Sequence, residues 1–188
     1  MRKMALVAFC MLGFTAPLFA ADTYSIEPNH TFPRFEYSHL GLSTHHGQFD
    51  KTSGTIVLDR AAKTGSIDIS VDMASINMGN PKLEEHLRGD EFFDVEKFPV
   101  MTFKSNKVKF NGDVPVSAEG ELTLHGVTKP LTLTIAIVKC AMHPMMKRED
   151  CGAEVTGMLK RSDFGVSKFT PMVGDDVTLH IQVESIKQ

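Results

Sequence analysis

The chain of 188 residues contains no tryptophan and only three cysteines, and it carries no excess of positive charge. It also lacks the short strings that announce common hydrolytic chemistry. No G-x-S-x-G is present to set a nucleophilic serine on a strand-to-helix turn. No H-E-x-x-H is present to pair two zinc ligands on a helix face. Asp90, Glu91 and Asp94 are the densest acidic cluster, but carboxylates this close on a turn are ordinary surface residues, so an enzyme is not expected.

Long apolar runs are equally scarce, with one exception at the start. Arg2 and Lys3 precede an apolar run from Met4 to Phe14, and small residues surround a cleavage point at Ala20 or Ala21. A membrane span needs about 20 continuous apolar residues, and Pro17 and Asp22 interrupt this one. Residues 1–20 therefore read as an export signal and 21–188 as a single domain, with no stable membrane insertion expected. Removing Arg2 and Lys3 takes the cations from 20 to 18 against 23 acidic residues, a net charge of about −5. That sign disfavours nucleic acid and anionic membrane surfaces as partners. Cys10 falls within the signal, leaving Cys140 and Cys151 as an even pair. In an oxidising compartment this spacing reads as a disulfide across a loop, worth roughly 2–3 kcal/mol in the chain-entropy account.

What is present is alternation. Ile67, Ile69, Val71 and Met73 alternate with Asp68, Ser70 and Asp72, and Leu131, Leu133, Ile135 and Ile137 do the same further on. Similar short strands are expected at 22–27, 34–37, 55–59, 100–110, 118–124, 153–159 and 177–183, separated by turn residues. A phase shift between Phe103 and Val108 suggests a bulge. Residues 39–49, with two glycines and three histidines, read as a bend, and 74–81 as a loop. Pro81, with Glu84 and Glu85 behind it, suits the start of one short helix. Many short strands with one helix describe an antiparallel sandwich or barrel, and periodicity leaves both open.

Two ligand readings follow from the residues. Closing about eight strands leaves room for one elongated apolar ligand. The lining would be Phe35, Phe49, Ile67, Ile69, Phe92, Phe93, Phe98, Phe103, Leu122, Leu133 and Leu179, although the same residues would also fill a dry core. His86 and Arg88, with His39 behind them, are candidates for the polar head or gate, since a guanidinium forks onto phosphate and an imidazole donates to a carbonyl. The alternative for Arg88 is an ion pair with Asp90 or a glutamate that anchors the segment. The rival reading is a copper site, because Met142, His143, Met145 and Met146 fall between the two cysteines and thioether with imidazole suits that metal. Methionines there equally suit packing.

Five strings occur in order: YSIEPNH at 24–30, HLGLSTHHGQF at 39–49, EEHLRGDEFFDVEKFPVMTF at 84–103, GELTLHGVTKPLTL at 120–133 and RSDFGV at 161–166. Together they resemble the YceI-like family of exported polyisoprenoid-binding proteins, over nearly all of residues 21–188. The CAMHPMMKREDCG loop resembles a cysteine-containing branch of it. His30-Thr31 stands where the family usually has His-Ser, and Gly89 where it usually has Ser after HLR. The resemblance implies an eight-stranded antiparallel lipocalin-like barrel with a short helical segment near residues 82–94. It also implies a periplasmic location, no catalysis, no cofactor, and an isoprenoid lipid as ligand, with a polyprenyl phosphate or a quinone-type tail as the candidates. A homodimer is compatible with it.

Overall fold

The computed structural model describes residues 21–188, and the export segment read at 1–20 lies outside the described residues. Strands β1 (Asp22–Ile26), β2 (Phe32–His39), β3 (Ser43–Phe49), β4 (Thr52–Asp59), β5 (Thr64–Asp72) and β6 (Ile76–Asn77) precede one helix, α1 (Pro81–Arg88). Strands β7 (Val100–Asn111), β8 (Val114–Leu124), β9 (Val127–Met142), β10 (Glu149–Lys160) and β11 (Val173–Lys187) follow it.

Eight strands close on themselves in the order β1-β4-β5-β7-β8-β9-β10-β11, with β1 pairing back onto β11. All pairings are antiparallel, so the fold is the expected barrel. Strand β11 forks. Its last residues pair with β1 (Tyr24 opposite Lys187), while Val177–Gln182 pair with β2 instead. Strands β2, β3 and β6 thus form a side wall at one end of the barrel. Residues 39–49 are not the bend read from sequence: a turn at 40–42 leads directly into β3. The inner positions of that strand are His45, Gly47 and Phe49, and only the last has the apolar character that strand alternation shows.

The expected bulge lies in β7, where the register slips between Ser105 and Lys107. Helix α1 begins where Pro81 does because Asn80 caps it, its side-chain oxygen accepting from Lys82 N and Leu83 N. The helix stops at Gly89, so residues 89–94 of the expected helical segment form turns instead. Phe92 and Phe93 are carried on those turns and folded inward, Phe93 N donating to Leu87 O. Gly120 lets two strands approach closely. A Cβ there would strike the Lys104 carbonyl oxygen and the Phe103 ring.

One apolar cluster lines the barrel, from Tyr24 and Leu58 at one end to Leu87, Phe92, Phe164 and Val166 at the other. Each large apolar side chain so buried contributes about 1.5–3 kcal/mol relative to exposure. At the first end Cys140 faces Cys151 across the β9–β10 ladder and the two form the expected disulfide.

Candidate functional site

The barrel encloses a cavity of about 260 Å³, near the lower end of the range for small-molecule pockets. It is elongated, reaching from Tyr24, Arg60, Cys151 and Ser185 at the disulfide end to Leu87, Phe92, Val166 and Tyr37 at the helix end. Of the residues read from sequence as lining, Phe35, Phe49, Ile67, Ile69 and Phe103 face this cavity, as do Phe92, Phe93, Leu122, Leu133 and Leu179. Phe98 does not. Its ring lies 4.5 Å from that of His125 and fills the space beside Gly126, on the β8–β9 turn. It sits in a loop segment, where strand parity no longer assigns sides.

The three residues read as head or gate are not brought together. Arg88 is turned away from the cavity: Nε donates to Ala74 O (2.9 Å) and an Nη to Ile76 O (3.3 Å), with Glu84 at 3.7 Å. It ties α1 to the segment before it. His86 packs its ring on Phe92 at 4.9 Å. His39 stands apart from both, stacked on His45 at 4.5 Å.

His39 is nevertheless linked to the interior by a column of rings. From Phe93 the contacts run to Phe49 (6.1 Å), Phe35 (5.7 Å), Tyr37 (6.4 Å), His45 (5.6 Å) and finally His39. The spacing reflects pleat geometry, since Phe35, Tyr37 and His39 share one face of β2, and Gly47 and His45 oppose the first two on β3. These pairs become apolar to polar towards the strand ends.

Sequence reasoning missed the polar groups at both ends. At the disulfide end Tyr24, 1 % exposed, donates its hydroxyl to Glu149 Oε1 (2.6 Å) and accepts from Arg60 Nη1 (3.0 Å). Arg60 also bonds Asp22 (3.2 Å), which in turn pairs with Lys187 (2.6 Å). Burial, and then the bond to Glu149, push the Tyr24 phenol up. Burial would lower the Arg60 guanidinium, but the hydrogen bond to Tyr24 and its acidic neighbours hold it above its ordinary value. At the helix end Arg161 donates to the carbonyls of Gly174, Val166, Lys168 and Val173 and to Thr170 Oγ1, at 2.7–3.0 Å. Burial lowers its pKa, yet a guanidinium keeps its charge across the working pH range. The alternation of Tyr24 with Ile26 was a readable signal for one of these. No pattern marks the others, because their partners are distant in sequence.

His30-Thr31 also proves structural. Thr31 Oγ1 donates to Glu184 O and accepts from Glu184 N, both at 3.0 Å, so the hydroxyl is spent on β11. In the loop between the cysteines, Met142, Met145 and Met146 are exposed. His143 Nδ1 accepts from Met145 N (3.3 Å) and Met146 N (3.1 Å). Those contacts suit the neutral tautomer that carries its proton on Nε2.

An antiparallel barrel with an apolar, two-ended interior is a binding fold by architecture. The YceI-like domain model matches residues 24–185, so the chain belongs to the YceI-like family. Protein YceI of Salmonella agona is 33 % identical over 183 residues, covering 96 % of this chain and 95 % of that protein. Among solved structures, the YceI protein of Campylobacter jejuni superposes with a TM-score of 0.68 at 29 % identity, covering 100 % of this chain and 99 % of its own. A polyisoprenoid binding domain from Saccharophagus degradans has the same fold, with a TM-score of 0.63 at 17 % identity over 88 % of this chain and 98 % of that one.

Proposed function

We propose that this protein is a non-catalytic periplasmic carrier that holds the isoprenoid chain of a long lipid inside its barrel for transport or storage. The carrying observation is the elongated cavity walled by phenylalanine, leucine, isoleucine and valine, with polar groups confined to its ends. An isoprenoid tail exposes apolar area costing about 25 cal/mol per Å² in water. Branched aliphatic and aromatic walls remove that area and read shape and length, so a range of tails should be accepted. Three of the interior groups with acid–base capacity, Tyr24, Arg60 and Arg161, are engaged by one another, by carboxylates or by backbone, which supports binding over chemistry. A polyisoprenoid binding domain of the same fold supports the ligand class.

The test is direct. Protein purified from its native host is extracted with organic solvent, and the extract is analysed by mass spectrometry. A long-chain isoprenoid at near-stoichiometric yield is expected. An extract with no long-chain lipid, together with failure of delipidated protein to take up such lipids, overturns the reading.

A further inference from the structure

Strand β11 changes partner between Ser185, which pairs with β1, and Gln182, which pairs with β2. The turn at 27–31 spans that fork and sets Glu27 and His30 against Glu184. His30 Nδ1 lies 2.6 Å from Glu27 Oε2 and 3.6 Å from Glu184 Oε2, and the three atoms all fall within 4.8 Å of one another. None of the three residues lines the cavity.

The surrounding bonds hold these side chains in place without using the converging atoms. Glu27 N donates to Glu184 O (2.9 Å), and Thr31 Oγ1 bonds both Glu184 O and Glu184 N (3.0 Å each). Gln182 Nε2 donates to His30 O (3.2 Å). The other oxygen of Glu27, Oε1, accepts from Asn29 N (3.2 Å) and Asn29 Nδ2 (2.7 Å), which leaves Oε2 to face the histidine. Outer bonds of this kind orient metal ligands.

The charge is one-sided. Among the described residues no lysine or arginine pairs with Glu27 or Glu184, so two carboxylates converge on one imidazole. Like charges this close repel, and a divalent cation between them cancels both. A carboxylate only accepts, so Nδ1 is the protonated ring nitrogen; a metal takes that position and the proton moves to Nε2. One imidazole with two carboxylates suits zinc, which bonds both donors at about 2.0–2.2 Å. Tetrahedral donors then stand about 3.3 Å apart, between the two distances found here. Calcium takes oxygen donors alone and would leave the imidazole unused.

We propose that Glu27, His30 and Glu184 bind one zinc ion, which clips the 27–31 turn to β11 and leaves a fourth position to water. The site goes beyond the lipid-carrier reading and stands apart from it. Protein spanning residues 21–188, without a histidine tag, is stripped with a chelator and exchanged into chelator-free buffer. It is titrated with zinc chloride and, separately, with calcium chloride by isothermal titration calorimetry. One zinc per chain is expected, with calcium at least about tenfold weaker. Zinc is also expected to raise the thermal unfolding midpoint. Glu184→Gln, which keeps the backbone bonds to Thr31, and His30→Ala are each expected to weaken zinc at least about tenfold and to remove most of that rise. Circular dichroism checks both folds, and if one variant does not fold the other decides. His46 and His180 flank Glu36 through different oxygens, at 3.5 and 3.6 Å, so His180→Ala is the control and is expected to bind zinc as wild type does. No zinc bound by the wild type, calcium bound as tightly as zinc, or zinc affinity untouched in a folded variant overturns the proposal. Zinc binding lost in His180→Ala would place the ion at Glu36 and overturns it too.

Discussion

Arg88 Nε donates to the carbonyl oxygen of Ala74 at 2.9 Å, and that bond turns the guanidinium of the HLR triplet away from the barrel interior. The second bond, to Ile76 O, and the nearby Glu84 carboxylate complete a clamp between α1 and the short strand β6. Arg88 is therefore an anchor, with backbone carbonyls as its main acceptors where the sequence suggested carboxylates.

Arg88→Ala is expected to lower the free energy of unfolding by about 2 kcal/mol, because two carbonyls lose a charged donor. Arg88→Lys recovers only part of it, since an ammonium lacks the fork. Lipid content per folded protein stays at the wild-type level in both. Denaturant midpoints and extracted lipid, measured on the same preparations, check this. Lost lipid at unchanged stability would return Arg88 to the gate.

Arg161 performs the same service on a larger scale for the segment 165–173. Three of its five acceptors, on Val166, Lys168 and Thr170, lie on a connection that has no strand of its own, and the other two, on Val173 and Gly174, open β11. Arg161→Lys reaches fewer of them and leaves buried carbonyls unbonded, with an expected loss of about 3–4 kcal/mol. Amide exchange should accelerate first in residues 166–172 and only later in β10 and β11. Uniform acceleration across the barrel would contradict that order.

These two arginines show where the sequence was readable and where it was not. Alternation, clearest in β5 and β9, showed which side chains face inward, because parity in a strand is local, and seven of the ten lining residues followed from it, while Phe49, Phe92 and Phe93 lie outside the strands read from sequence. Pro81 announced the helix start, and the phase break after Phe103 announced the bulge. The side wall of β2, β3 and β6 was hidden. His45 and Gly47 on its inner face break the apolar pattern, and Phe49 opposite Ile76 is a pairing no local signal carries. Arg88, Arg161 and Thr31 bond backbone atoms, which every residue offers, so no side-chain pattern could name their partners. Phe98 was misassigned for want of strand parity in a loop.

Acid should loosen the helix end through Asp175. Burial alone would raise its pKa. Bonds from Ser162 N (2.9 Å) and Ser162 Oγ (2.8 Å), with Lys160 and Arg161 nearby, hold it below the ordinary 3.8. Glu27, bonded by Asn29 and His30, is likewise held below 4.5 despite burial. A carboxyl whose folded pKa is depressed contributes stability that is complete above its unfolded pKa and lost as pH falls through the folded one. Stability should therefore be flat near neutrality as far as these two groups are concerned, and fall below about pH 4.5. In Asp175→Asn the plateau is lower and the acid limb shallower. Unfolding midpoints from pH 7 down to pH 3 read both features, and an unchanged acid slope would exclude Asp175 as a contributor.

The interior can be plugged without touching either end. Ala153 lies on β10 opposite Val183 and faces the cavity. Ala153→Phe adds a ring to a space of about 260 Å³ that has room for it when no ligand is bound. The ring would occupy volume a tail needs, while adding apolar contact to the empty protein. The variant should keep its β-sheet circular dichroism and unfold no earlier than delipidated wild type, within about 1.5 kcal/mol. Its extract should hold less than about a tenth of the wild-type lipid, the discrimination that 1.4 kcal/mol supplies. Wild-type lipid content in a well-folded Ala153→Phe protein would mean that the tail lies outside the barrel.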